Sequence, residues 1–452
     1  MTKFRTGRIK NFDELATTQN RKMALGLIEA GLEAINTQEV IKNKIKLENN
    51  ILLISGESFD LNKFKNIKVV GFGKSSLEAA LALEEILGSR ISSGAVVGLE
   101  KVDLKYVETF AGTHPRPSEV NIPAGKKIYE IIKDSSEEDL IIVLVSGGGS
   151  ALLCYQESEC VQGLALYDSF LKSGKTIAEI NTVRKHLSLL KGGGLAKVAY
   201  PATVIGLIFS DVPGDSFENV ASGPTYKDTT TIADAKKIVD ENNLGEFELT
   251  ETPKEDKYFE KVYNFVLVSN KTAVEAMAKK AQEFNLEANI ISTELYDEVG
   301  EAIKKIFSLK NKTNEAFSQV LGSPGPYPGQ TIQKRFIGFI NLAAGEPSIV
   351  VPKNGGQGGR NLHMGLEAIN NKIINDDSVF ISFASDGMDN SDVAGAIVDK
   401  SVIEKAEKLG LSAEDYLARF DSYNFFQKTG DTIITGRTGA NVADLMILLT
   451  KK

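Results

Sequence analysis

Apolar residues recur along this chain in two periods. Runs such as Ile141-Ile-Val-Leu-Val145, Thr203-Val-Ile-Gly-Leu-Ile-Phe209 and Phe265-Val-Leu-Val268 read as strands buried on both faces. Further strands are predicted to start at Ile67 and to cover 94–98, 288–292, 335–341, 348–352 and 379–384. Between them lie segments with apolar residues at helical spacing. Met23, Leu27, Ala30 and Leu32 mark an amphipathic helix over 18–36, and Ile180, Val183, Leu187 and Leu190 mark one continuous helix over 177–198. Other helices are expected at 77–86, 122–134, 271–284, 297–308 and 400–409, with one more opening after 354–363 and running to about 370. Strands alternating with helices through both halves predict an α/β fold of two domains with largely parallel sheets. The acidic, lysine-rich stretch 226–261 is the expected linker, which places the domains at 1–255 and 256–452. The Gly- and Pro-rich segment 321–330 reads as a surface loop.

The strongest strands end in glycine together with Ser, Asp, Lys or Arg. In open α/β sheets ligands sit at the carboxyl ends of strands, so these turns should converge. After Val145 the chain reads Ser146-Gly147-Gly148-Gly149-Ser150. Adjacent glycines are costly to order and pack no side chain, which makes sense where backbone N–H groups approach a phosphate; a tight turn without ligand is the alternative. Lys74 follows Gly73 and could reach a phosphate as a compact charge, or be a solvated helix-start lysine. Gly71-x-Gly73-x-x-Ser76 brushes the dinucleotide fingerprint, but with Ser in the third position, and it is not a Walker A loop. Asp211 and Asp215 flank Pro213-Gly214, and Asp386 and Asp389 flank Gly387. Such pairs suit Mg²⁺, and they are also ordinary turn chemistry. Arg360, after two glycines at a helix start, suits bidentate recognition of a carboxylate or phosphate, against a surface ion pair. Arg184, Ser188 and Lys191 share one face of the 177–198 helix, with Arg184 expected to bind substrate and Lys191 nucleotide.

Composition narrows the field. A hydrophobic share of 42% and a charged share of 25% belong to a globular protein. A net charge of −8 gives a nucleic-acid partner no electrostatic support. No apolar run approaches the roughly 20 residues of a membrane span, and 1–14 carry no apolar signal region. The two cysteines, Cys154 and Cys160, make no disulfide framework in so long a chain, and Cys154 reads as core. A cytoplasmic, reducing compartment is expected. His114, His186 and His363 lie on distant segments without metal spacing, so zinc is not indicated; His186 is expected to cap or pack a helix, and His114 and His363 could line a site. No Gly-x-Ser-x-Gly elbow suggests a hydrolase.

In order along the chain stand Gly73-Lys74, Gly112-Thr-His-Pro115, Ser146-Gly-Gly-Gly-Ser-Ala-Leu152, Asn181-Thr-Val-Arg-Lys-His-Leu-Ser188 and Ser210-Asp-Val-Pro-Gly-Asp215. They are followed by Ser222-Gly-Pro224, Gly358-Gly-Arg-Asn361, Ser385-Asp-Gly387, Ala394-Gly-Ala396 and Thr438-Gly-Ala-Asn-Val442. Nearly the whole chain thus resembles the glycerate 2-kinase family with its MOFRL domain, formerly known as hydroxypyruvate reductases. The resemblance implies a Rossmann-like N-terminal domain, a smaller C-terminal α/β domain and an active site in the cleft. It implies phosphorylation of D-glycerate by ATP and Mg²⁺ to 2-phosphoglycerate, with Lys74 and Arg360 acting on substrate and transferring phosphate. Asp211 and Asp386 would lie nearby, and the loop 146–150 against the nucleotide phosphates. The expected partners are small molecules, with no nucleic acid and no membrane; a homodimer is left open. The rival readings are a nicotinamide-dependent hydroxypyruvate reductase and a non-catalytic sugar-acid-binding protein.

Overall fold

A computed structural model of the chain describes residues 7–173, 177–214, 216–308 and 336–451. The chain divides into two compact units. The first comprises Ile35–Ser269 and Gly439–Val442; the second comprises Met1–Ala34, Asn270–Thr438 and Ala443–Lys452.

In the first unit a small antiparallel sheet of β1 (Ile45–Glu48), β2 (Ile51–Ile54) and β3 (Glu57–Asp60) precedes the main sheet. The main sheet contains β4 (Asn66–Phe72), β5 (Ile91–Gly98), β6 (Glu108–Ala111), β7 (Asp139–Ser146), β8 (Thr203–Phe209) and β9 (Val262–Val268). Its order is β6-β5-β4-β7-β8-β9, and every neighbouring pair is parallel. All eight positions of β7 are buried, as its unbroken apolar run requires. From β4 the chain winds outward through β5 and β6, and from β7 it winds the other way through β8 and β9. The order therefore reverses between β4 and β7, which is where a doubly wound sheet leaves a crevice for ligand.

The helix expected over 177–198 is broken. It runs Ile177–His186, and a second short helix covers Gly194–Ala199. The apolar spacing continues across the gap, but Gly192 and Gly193 take φ of +55° and +85°, which a right-handed helix cannot contain. The stretch 226–261 is not a linker. The Thr250 N–H donates to the His186 carbonyl at 2.8 Å, and Lys185 pairs with Asp228 at 3.3 Å, so it lies on the first unit. β9 then completes the sheet, which moves the boundary from 255/256 to 269/270. His186 is fully buried, its Nδ1 2.9 Å from the Thr182 carbonyl. Cys154 is buried as expected and so is Cys160, and their sulfurs are bonded to each other, a single local pairing six residues apart.

The second unit holds β10 (Leu286–Leu295), β11 (Gly338–Gly345), β12 (Ser378–Ala384), β13 (Gly395–Val398), β14 (Thr432–Ile433) and β15 (Asp444–Lys451), in the order β10-β11-β15-β12-β13-β14. Only β10 and β11 are parallel, so the expected largely parallel sheet is found in the first unit alone. No crossover helix separates β14 from β15, and the last strand enters antiparallel between β11 and β12. Of the strand expected at 348–352, Ser348 makes an isolated bridge to Glu298. The 321–330 loop lies outside the described residues.

Residues 7–34 join this unit instead of the N-terminal one. Helix Gln19–Ala34 packs on helix Asn270–Glu283 closely enough that a Cβ on Gly31 would lie 3.1 Å from Met277 Cγ. Arg21, 1% exposed, donates from Nε to Asp399 at 2.6 Å and from Nη1 to Asp431 at 2.8 Å. Removing one partner of such a buried pair typically costs about 3–5 kcal/mol. Among the described residues no helix is long and apolar enough to cross a membrane.

Candidate active site

In the first unit the loops at the carboxyl ends of β4, β6, β7 and β8 meet. The turn after β4 is stitched to the glycine loop after β7: the Lys74 N–H donates to the Gly147 carbonyl at 2.8 Å, and the Ser75 N–H to Ser146 Oγ at 3.1 Å. Gly73, at φ +123°, has no room for a side chain against Ser146. Gly148 takes φ +80°, and a Cβ there would lie 2.9 Å from His114 Cδ2 and 3.3 Å from Lys74 Cγ. A Cβ on Gly147 would collide with the Asp211 carboxylate. Lys74, His114 and Asp211 therefore surround one loop, and the glycines are what permit that approach. The N–H groups of Gly148, Gly149 and Ser150 have no acceptor among the described residues.

Neighbouring contacts hold this arrangement. Buried Asn121 accepts from the Thr113 N–H at 2.7 Å and donates to the Ala151 carbonyl at 2.8 Å, tying the His114 loop to the glycine loop. Asn441, in the short segment Gly439–Val442 that joins this unit, reaches Asp211 Oδ2 at 3.3 Å. Lys191 is 4% exposed and committed elsewhere, to Glu159 at 2.5 Å and the Leu153 carbonyl at 2.8 Å. Asp215 lies outside the described residues.

The second unit gathers its own charged group at strand ends. Asp444, at the start of β15, stands opposite Gly345 and Ala384. Arg360 opens helix Arg360–Asn370, donates from Nε to Asp444 and lies 3.1 Å from Glu346 through Nη2. Its Nη1 has no acceptor among the described residues. Burial alone would lower the Arg360 pKa, but the Asp444 and Glu346 carboxylates raise it, so the guanidinium stays charged. Burial pushes Asp444 up to about 6, against the pull of Arg360. Asp386 occupies a turn in which its Oδ1 accepts the Met388 N–H at 3.1 Å. Asp389 has another task. It accepts the N–H groups of Asn361 at 3.1 Å and Leu362 at 2.8 Å, capping the helix that carries Arg360, and burial pushes it up to about 6. Both its oxygens accept these bonds, so the task the geometry gives it is that of a cap. Among the described residues no group of three or more His, Cys, Asp or Glu side chains is placed to hold a metal ion.

A family model described as a domain of unknown function, DUF4147, matches residues 23–255, and the MOFRL family model matches 339–444. The glycerate 2-kinase of Pyrococcus horikoshii is 34% identical over 450 residues, covering 95% of this chain and 97% of that protein. The chain belongs to the glycerate 2-kinase family. The D-glycerate 2-kinase of Thermotoga maritima is 32% identical, covering 94% of this chain and 97% of that protein. A crystal structure of a glycerate kinase from Thermotoga maritima superposes with a TM-score of 0.77 at 30% identity, covering 95% of this chain and 99% of that one.

The two family-model matches meet the two clusters separately. The first spans Lys74, His114, the glycine loop and Asp211; the second spans Glu346, Arg360, Asp386 and Asp444. Sequence reasoning placed His114 among the residues that could line a site, and gave no role to Asn121, Asn441 or Asp444. His114 carried a signal, because it stands in a Pro-punctuated loop after a strand; the other three become visible only through strand order and register.

Proposed function

We propose that the chain transfers the terminal phosphoryl group of ATP to the 2-hydroxyl of D-glycerate. The observation that carries this reading is the glycine loop at the β4/β7 reversal, with Lys74 and Asp211 against it and three backbone N–H groups without acceptors among the described residues. Phosphoryl transfer asks the protein mainly to position reactants and to stabilise charge on the equatorial oxygens. The N–H groups of Gly148, Gly149 and Ser150 suit nucleotide phosphate oxygens, and Lys74 suits the moving group as a point charge. Arg360, on the second unit, holds a fork whose Nη1 is available for a carboxylate or phosphate oxygen, with Asp386 proposed to serve the same chemistry. Mg²⁺ commonly takes one or two carboxylates and completes its shell with water and phosphate, and Asp211 fits as one such ligand. When bound, the ion would neutralise phosphate charge. The net charge of −8 supports small-molecule partners, with no nucleic acid, and the reading carries a cytoplasmic location with it.

The reductase reading has one feature in its favour, a sheet order that dinucleotide-binding folds share. Its fingerprint fails where close helix–strand packing needs Gly or Ala: Ser76 stands there, its Oγ turned back onto the Gly73 carbonyl at 2.7 Å. Two assays on one preparation separate the readings. Release of ADP that requires both D-glycerate and Mg²⁺ is expected, with no consumption of reduced nicotinamide on addition of hydroxypyruvate. The reverse pair of results would replace the kinase with the reductase.

A further inference from the structure

We propose that Arg184 is an oxyanion-binding residue of the glycine-loop site, holding a carboxylate or phosphate oxygen of a bound reactant in the cavity it shares with Ser150. The proposal rests on the kinase reading above and adds to it a contact that neither cluster contains.

Arg184 lies in the last turn of helix Ile177–His186, three residues after Asn181 and hence on nearly the same face. That face is fixed to the glycine loop by hydroxyls. Ser222 Oγ donates to Asn181 Oδ1 at 3.1 Å and lies 2.8 Å from Ser150 Oγ. Arg184, Ser150, Pro117, Glu159 and Lys191 line a cavity of about 20 Å³. That is room for one or two water-sized atoms, the head of an oxyanion and not a whole reactant.

The other charges here are already matched. Lys191 is held by Glu159 at 2.5 Å, and Lys185 by Asp228 at 3.3 Å. The Arg184 side chain makes no hydrogen bond or ion pair with any described residue, although the residue is half-buried. Burial pushes its pKa down to about 10, the direction for a cation that has lost water and gained no carboxylate. A desolvated guanidinium without an acceptor is costly, and a bound anion removes that cost. The planar fork suits a carboxylate or a phosphate equally. Ser150, whose N–H is another donor without an acceptor among the described residues, lines the same cavity.

The test uses the full chain and its Arg184→Gln and Arg184→Lys variants. Calorimetry measures binding of ATP and of D-glycerate, and steady-state kinetics measures both KM values. Losing a hydrogen bond to a charged group weakens binding about tenfold or more. If the carboxylate is the ligand, Arg184→Gln weakens D-glycerate about tenfold while ATP is unchanged, and the variant no longer prefers glycerate to its uncharged amide, glyceramide. If a nucleotide phosphate is the ligand, ATP weakens and D-glycerate does not. In either case Arg184→Lys recovers part of the loss and added guanidinium ion restores Arg184→Gln, which a purely structural role would not show. Thermal stability should be unchanged or raised. Both affinities within twofold of wild type in Arg184→Gln overturn the proposal. A wild type that binds both reactants without turnover overturns the kinase reading alone and leaves the Arg184 comparison readable. A wild type that binds neither overturns both.

Discussion

Lys74 owes its place to two backbone hydrogen bonds and a glycine, so its substitution should leave the fold intact and change the chemistry. A positioned cation that stabilises charge mainly in the transition state lowers kcat when removed, by roughly a hundredfold or more. Lys74→Ala is expected to show that loss in steady-state kinetics with little change in either KM; a normal kcat would remove Lys74 from the reaction. Arg360→Ala is expected to raise KM for D-glycerate and leave KM for ATP nearly unchanged, and a defect confined to ATP would contradict its assignment. Asp389 offers the opposite test. Its two oxygens cap a helix, and Asn retains one of those acceptors, at a cost to stability and not to the chemistry. Asp389→Asn should therefore keep kcat within about twofold of wild type, whereas a large loss restored by excess Mg²⁺ would return Asp389 to the metal site.

The elements at the strand ends were legible to different degrees. The run 141–145 and the three glycines after it announce a buried strand and a close approach, because both follow from local composition. The break between His186 and Gly194 was hidden, since Leu187 and Leu190 continue the helical spacing of Ile180 and Val183 across it. Gly193 is the decisive position: its φ is +85°, and a Cβ there would lie 2.7 Å from the Phe259 ring. Gly193→Ala is expected to cost about 2 kcal/mol, a fall in melting temperature of roughly 4–8 °C for a unit of this size. An unchanged transition by calorimetry would show that the turn tolerates a side chain. Asp211 and Asp389 illustrate why the candidate site was only partly readable. Both stand in short strand-end turns that pair two Asp with a Gly, yet one faces the glycine loop and the other faces a helix terminus. That distinction depends on strand order and register, which no local pattern encodes.

At the scale of the whole molecule the chain passes between its two units at 34/35, 269/270, 438/439 and 442/443. A contiguous reading of domains at 1–255 and 256–452 could not anticipate this, because composition marks linkers and says nothing of a strand or helix that joins a distant partner. The second unit also carries a pH signature. Asp389 and Asp444 are both pushed up to about 6 from an ordinary 3.8, chiefly by burial. Below 3.8 the folded and unfolded forms are both protonated and the stability these acids contribute is whole. As pH rises toward 6 the unfolded chain sheds those protons while the folded unit retains them, so stability falls through that window and levels off above it. Melting temperatures from pH 4 to 6.5 should fall more steeply for wild type than for Asp389→Asn, and parallel curves would contradict the burial account. The most direct test of the central claim is proton-coupled phosphorus NMR of the mixture formed from ATP, Mg²⁺ and D-glycerate. Transfer to the 2-hydroxyl predicts ADP together with a phosphomonoester signal split into a doublet by the single methine hydrogen. A triplet would place the phosphate on the terminal hydroxyl, and ADP with free orthophosphate alone would show that D-glycerate is not the acceptor.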